Sequence, residues 1–176
     1  VIDRLSEGFG RVLSALATAG CLLMLAMMLV IVADVALRNT AVPGLPRGLA
    51  WSNEVSEALL YLITMCVAPW LLRQGQHIRV DILLQALPRR VAWALEWAGD
   101  VIGLACCAAL ALYGWKATLA SFSAGSLNIK TLVTPEWWWL VALPLTFTLL
   151  TLEMLFRMHR LARAERGPRS DAVSAA

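Results

Sequence analysis

Residues Arg73–Pro88, read R-Q-G-Q-H-I-R-V-D-I-L-L-Q-A-L-P, decide how the chain is laid out, because long apolar runs lie on both sides of them. The stretch opens with Arg73, Gly75, His77, Arg79 and Asp81, too polar a set to sit in hydrocarbon. It then turns amphipathic: Val80, Leu83, Leu84 and Leu87 recur at the i, i+3, i+4, i+7 spacing of one helix face. Pro88 closes it and Arg89-Arg90 follow, so the pattern predicts a short helix lying along a membrane surface. A plain connector between two spans is the alternative.

The composition sets the class. Of the 176 residues, 60% are hydrophobic, and the mean hydropathy is +0.69. Apolar runs of about 18 or more residues read as membrane spans. Spans are expected at about 12–37, 51–72, 91–120 and 136–156, giving an all-α membrane protein with four transmembrane helices. Residues 1–11 form an amphipathic lead-in with Ile2, Leu5, Phe9 and Val12 at helical spacing, and 158–176 form a basic, partly disordered tail. Cys21, Cys66, Cys106 and Cys107 fall inside apolar runs without ligand spacing and read as small buried side chains.

Local features fill in the spans. Asp34 and Arg38, four apart at the end of the first span, can neutralise each other. The connector 39–50 holds Pro43, Gly44, Pro46 and Gly48, a clear break. Ser52 or Asn53 is expected to cap the second helix, where Glu54 and Glu57 complement the dipole. Asn53, Glu57, Tyr61 and Thr64 then make a polar stripe suited to another helix or a partner subunit, not to lipid. Pro69 is a candidate kink near that helix's end.

In the third span Gly99, Gly103, Cys107 and Ala111 make a stripe of small residues on which a helix can approach closely. Glu96 and Asp100 read as ion-pair partners for Arg73, Arg79 or Arg89. Pro135 suits the first turn of the fourth helix, Pro144 predicts a kink, and Glu153 is expected to pair with Arg157.

Orientation follows from charge. Arg4, Arg11, Arg73, Arg79, Arg89, Arg90 and the tail arginines 157, 160, 163, 166 and 169 fall on one side, against Arg38, Arg47, Lys116 and Lys130 on the other. The positive-inside rule then predicts cytoplasmic termini. Beside a last span the basic tail reads as an orientation and anionic-lipid anchor, not as a nucleic-acid patch. His77 and His159 lie at membrane edges, away from where a heme would need them, and no nucleophile–base pair, metal cluster or phosphate loop is present in the sequence. No cofactor and no enzymatic activity are expected. The span centres, near Met24, Thr64, Ala108 and Phe147, carry no charge, whereas a lone ion-coupled transporter buries an ionisable group there. The pattern is that of a scaffold or accessory subunit. A stand-alone four-helix transporter or channel acting as a homo-oligomer is the alternative.

Three passages resemble a known family. They are Val35-Ala36-Leu37-Arg38 with Trp51-x-x-Glu54, then Arg73-Gln74-Gly75-Gln76-His77-Ile78-Arg79-Val80-Asp81 with Leu87-Pro88, then Pro135-Glu136-Trp137 with Pro144. Together they resemble the small membrane (DctQ-type, Q) subunit of tripartite ATP-independent periplasmic transporters. The chain departs from that pattern at Asn53-Glu54, where two acids are frequent, and at Val67-Ala68-Pro69-Trp70, where small residues are frequent. The resemblance implies a multi-pass protein of the bacterial inner membrane. It also implies two partners, a large membrane subunit (M type) and a periplasmic solute receptor (P type). Their joint task would be uptake of an organic acid, such as a C4-dicarboxylate, on a sodium or proton gradient. Gly99, Gly103, Cys107 and the Asn53–Thr64 stripe are then candidate subunit-packing residues. Arg38, Trp51 and Glu54 are candidates for the receptor side, and Arg73, Gly75, His77, Arg79, Asp81 and Pro88 make the cytoplasmic motif.

Overall fold

A computed structural model of the chain describes residues 2–40, 48–75 and 88–163. His77, Arg79, Asp81 and the amphipathic stretch Val80–Leu87 lie outside the described residues, as does the tail beyond 163. The elements are α1 (Ile2–Asn39), α2 (Ser52–Arg73), α3 (Arg89–Ala124), β1 (Leu127–Ile129), β2 (Val133–Pro135), α4 (Glu136–Leu140) and α5 (Ala142–Arg163). Four segments are long and apolar enough to cross a membrane: Ser6–Asn39, Ser52–Arg73, Val91–Ala124 and Glu136–Arg160. Residues 2–11 continue the helix of the first span without a break.

The helix ends explain themselves locally. Trp51, not Ser52 or Asn53, takes the N-cap position of α2, and no side chain caps it. Ser52 turns inward instead and is buried, while Leu49 O accepts its amide at 3.1 Å. At the other end Gly75 adopts φ +70, a left-handed value that glycine takes without strain. Gly125 does the same at φ 62 after α3, and the Ser126 amide reaches back to Ser121 O at 3.2 Å. The chain then forms an antiparallel hairpin in the register Leu127↔Pro135, Asn128↔Thr134 and Ile129↔Val133. Nothing in the sequence reading anticipated these strands.

One proline expectation needs correcting: Pro135 stands at the N-cap of α4, one residue ahead of the first turn. The fourth span does break as Pro144 predicts, at Val141 between α4 and α5, three residues before the proline. Pro144 has no N–H to give the carbonyl of Leu140 four residues earlier, so the disruption surfaces on the preceding turn. Pro69, by contrast, is accommodated inside an unbroken α2.

The spans pack as an open row. Among the described residues α1 lies along α2, α2 along α5, and α5 along α3, while α1 and α3 have no lengthwise packing on each other. Small residues set the close approaches. A Cβ on Gly20 would lie 2.6 Å from Val67 Cγ2, one on Gly103 would lie 2.5 Å from Met154 Cε, and one on Gly114 would lie 2.8 Å from Leu143 Cδ2. Between the helices sit polar groups: Asp34, Ser52, Asp100, Thr118, Thr146 and Glu153 are buried, while Leu22, Leu29, Ile102 and Leu112 are exposed. This is the distribution expected in lipid, where apolar surface gains nothing by leaving the bilayer and polar contact holds helices together.

Candidate functional site

Polar chemistry gathers at the two ends of the row. At one end the hairpin folds over the start of α2. The Glu54 carboxylate, in the first turn, accepts the backbone amides of Thr131 at 2.6 Å and Leu132 at 3.0 Å. One turn on, Glu57 accepts the Lys130 ammonium at 2.8 Å. That bond holds the lysine charged to a higher pH than usual, mainly through the hydrogen bond and also through the nearby negative charge. Trp139 donates to Thr134 at 2.9 Å, and Phe122 meets Trp137 edge-on at 5.4 Å, which fixes the hairpin base on α3 and α4. Between α2 and the hairpin lies a half-open cleft of about 270 Å³, walled by Val55, Ala58, Tyr61, Leu132 and Trp139.

Close by, Asp34 joins α1 to the following connector. Its Oδ1 accepts the Leu49 amide at 2.6 Å and its Oδ2 accepts Arg38 Nε at 2.9 Å. The pairing of Asp34 with Arg38 is therefore as the spacing predicts. The reach to Leu49 was not legible, because it depends on how the connector returns.

At the opposite end Arg73, the last residue of α2, inserts between helices. Its Nη1 donates to Glu153 Oε2 on α5 at 3.1 Å, and Arg160 Nη2 donates to Glu153 Oε1 at 2.6 Å. Glu153 has no exposed side-chain surface. Gly10 of α1 leaves the room: a Cβ there would lie 2.7 Å from the Arg73 guanidinium carbon. Phe9 and Phe156, 5.7 Å apart, pack beneath. Here the sequence pairing is overturned. Arg157, the i+4 neighbour of Glu153, instead bridges Asp100 of α3 at 3.2 Å, so Glu153 is taken by residues 80 positions earlier and 7 later. Asp100 thus pairs with Arg157 and not with Arg73. The i, i+4 rule names residues that can meet on one helix; it does not weigh a rival supplied by another helix.

The other candidates divide. Gly103 faces Met154 of α5 and Ala111 is buried, whereas Gly99 has open space beside it. Glu57 and Tyr61 border the cleft, and Asn53 and Thr64 are exposed. Thr64 donates to the carbonyl of Leu60 at 2.8 Å and so is satisfied within its own helix. The Arg38 side chain is 54% exposed, and Trp51 is exposed. Pro88 caps α3. Among the described residues no group of three His, Cys, Asp or Glu side chains could hold a metal ion.

Four spans, glycine-spaced contacts and polar groups held between helices define a multi-pass, all-α membrane protein. Residues 27–164 match the family described as tripartite ATP-independent periplasmic transporters, DctQ component. The match covers well over half of the chain, and the protein belongs to that family: it is the small membrane component of such a transporter. Comparison with curated proteins gave no match.

Proposed function

We propose that this chain is an accessory subunit that supports a large transport subunit and helps dock a periplasmic receptor, for secondary-active uptake of an organic acid such as a C4-dicarboxylate. The observation that carries the reading is the family match over residues 27–164. The open row supports it, because an unclosed layer of helices encloses no transport path of its own and leaves its broad faces to lipid or a partner. The proposed setting is the bacterial inner membrane with both termini in the cytoplasm, supported by the arginine count on that side. The hairpin, Arg38 and Trp51 then face the periplasm with the receptor, and Arg73 and Arg160 face the cytoplasm.

The proposed subunit-packing surface centres on Gly99, whose flank is open within the chain, together with Asn53 and Thr64. Glu57 and Tyr61 would contribute from the cleft, and Cys107 from the half-buried edge of α3. Gly99→Leu should reduce copurification with the large subunit and leave this chain's own unfolding unchanged. Gly103→Leu should disturb the chain itself through Met154. The decisive experiment is reconstitution with and without the large subunit and the receptor, following labelled organic acid under a sodium gradient. Uptake requiring all three proteins is expected; uptake by this chain alone would overturn the reading in favour of a homo-oligomeric transporter.

A further inference from the structure

Among the described residues, the arginine clasp carries more positive charge than its partners neutralise. Arg73 and Arg160 share one carboxylate, Glu153, and their other described partner is one hydroxyl: Ser6 Oγ lies 3.5 Å from Arg73 Nη2 and 3.4 Å from Arg160 Nη1. Each guanidinium offers five N–H donors in a planar fork. The carboxylate and hydroxyl therefore leave most donors, and one positive charge, over. On α1 beside them Glu7 and Arg11 are both exposed and offset one another; the neighbouring Asp100 is held by Arg157. The two guanidinia are also not equally enclosed. Arg73 is 22% exposed, and Arg160, at 45%, opens to the surroundings.

Depth decides what those surroundings are. Helix α2 has 22 residues from Ser52 to Arg73, which at about 1.5 Å each is roughly the thickness of a hydrocarbon core. The fourth span likewise ends at Arg160 after 25 residues. Arg73 directly follows Leu71-Leu72 and Arg160 stands one turn after Phe156, so both guanidinia lie where the apolar spans end and lipid phosphates begin. A phosphate matches the geometry of two converging guanidinium forks, and it is the anion most abundant at that depth.

We propose that Arg73, Arg160 and Ser6 form a binding site for the phosphate of an anionic phospholipid, with Glu153 fixing the two guanidinia from the buried side. Ser6 Oγ, which both forks approach weakly, can donate its proton to a phosphate oxygen. The site is separate from the receptor and large-subunit surfaces, and it does not rest on the transport role.

The test uses the purified full chain in mild detergent, with native mass spectrometry to count retained phosphatidylglycerol and phosphatidylcholine, and inorganic phosphate as competitor. The wild-type chain should retain phosphatidylglycerol over phosphatidylcholine. Arg160→Gln, which leaves the Arg73–Glu153 pair, should weaken phosphatidylglycerol binding by about five-fold. Arg11→Gln removes an equal charge from the nearby surface and should retain it. Ser6→Asp places a carboxylate between the forks without removing either arginine, and should abolish the preference even if Arg160→Gln does not fold. Equal retention of the two lipids by the wild type, or unchanged retention in Ser6→Asp, would overturn the proposal. Displacement of the lipid by millimolar inorganic phosphate would also overturn it, by showing a free-anion site.

Discussion

At the hairpin end of the row the contacts are exposed ones, with Glu54 holding two amides and Lys130 resting on a Glu57 that is itself 70% exposed. At the clasp end a fully buried carboxylate lies between two arginines from different helices. The first arrangement positions a small element and costs little to release, since exposed pairs are screened and held loosely. The second cannot lose its buried member cheaply, because without Glu153 the two arginines face each other uncompensated. The contrast assigns the two ends different work. One end is a loosely held surface, and the other ties α2 to α5 and α1.

The largest effect should come from Glu153→Ala, which leaves Arg73 and Arg160 side by side; a loss of about 3–5 kcal/mol is expected, read as a lower unfolding temperature in detergent. An unchanged unfolding temperature would remove the distinction between the ends. Gly10→Leu should follow, at about 1–3 kcal/mol, because its side chain must displace the clamped Arg73 guanidinium. Glu54→Ala should be milder and local: amide exchange at Thr131 and Leu132 should quicken while the helices keep their protection. If protection falls along α2 as well, the hairpin contributes to the row and the comparison needs redrawing. The smallest effect concerns Lys130. Its raised pKa means that its contact with Glu57 contributes fully at neutral pH and is lost only as pH rises past the ordinary value of 10.5. An NMR titration of the Lys130 ammonium should give a midpoint above that value, and Glu57→Gln should lower it.

Legibility in the sequence varied with the range of the interaction. Asp34–Arg38 was readable because both residues lie one turn apart on one helix. Glu153 was misread for the same reason: Arg157 satisfied the spacing, yet Asp100 on α3 took Arg157, and Arg73 came from α2. The hairpin was missed because its strands have three residues each, too short for an alternating pattern to emerge.

Read alone, the chain's residues determined the class of protein, the number and approximate limits of the spans, and the family. Each of these depends on apolar run length or a local motif, properties that a segment carries wherever it is placed. Tertiary structure decided the order of helices in the row, the hairpin folded over Glu54, and the partners of Glu153. Those outcomes depend on distances between groups as many as 80 residues apart, and several arginines with equivalent sequence credentials competed for one carboxylate. Packing at Gly20, Gly103 and Gly114 set which helices came close enough to compete.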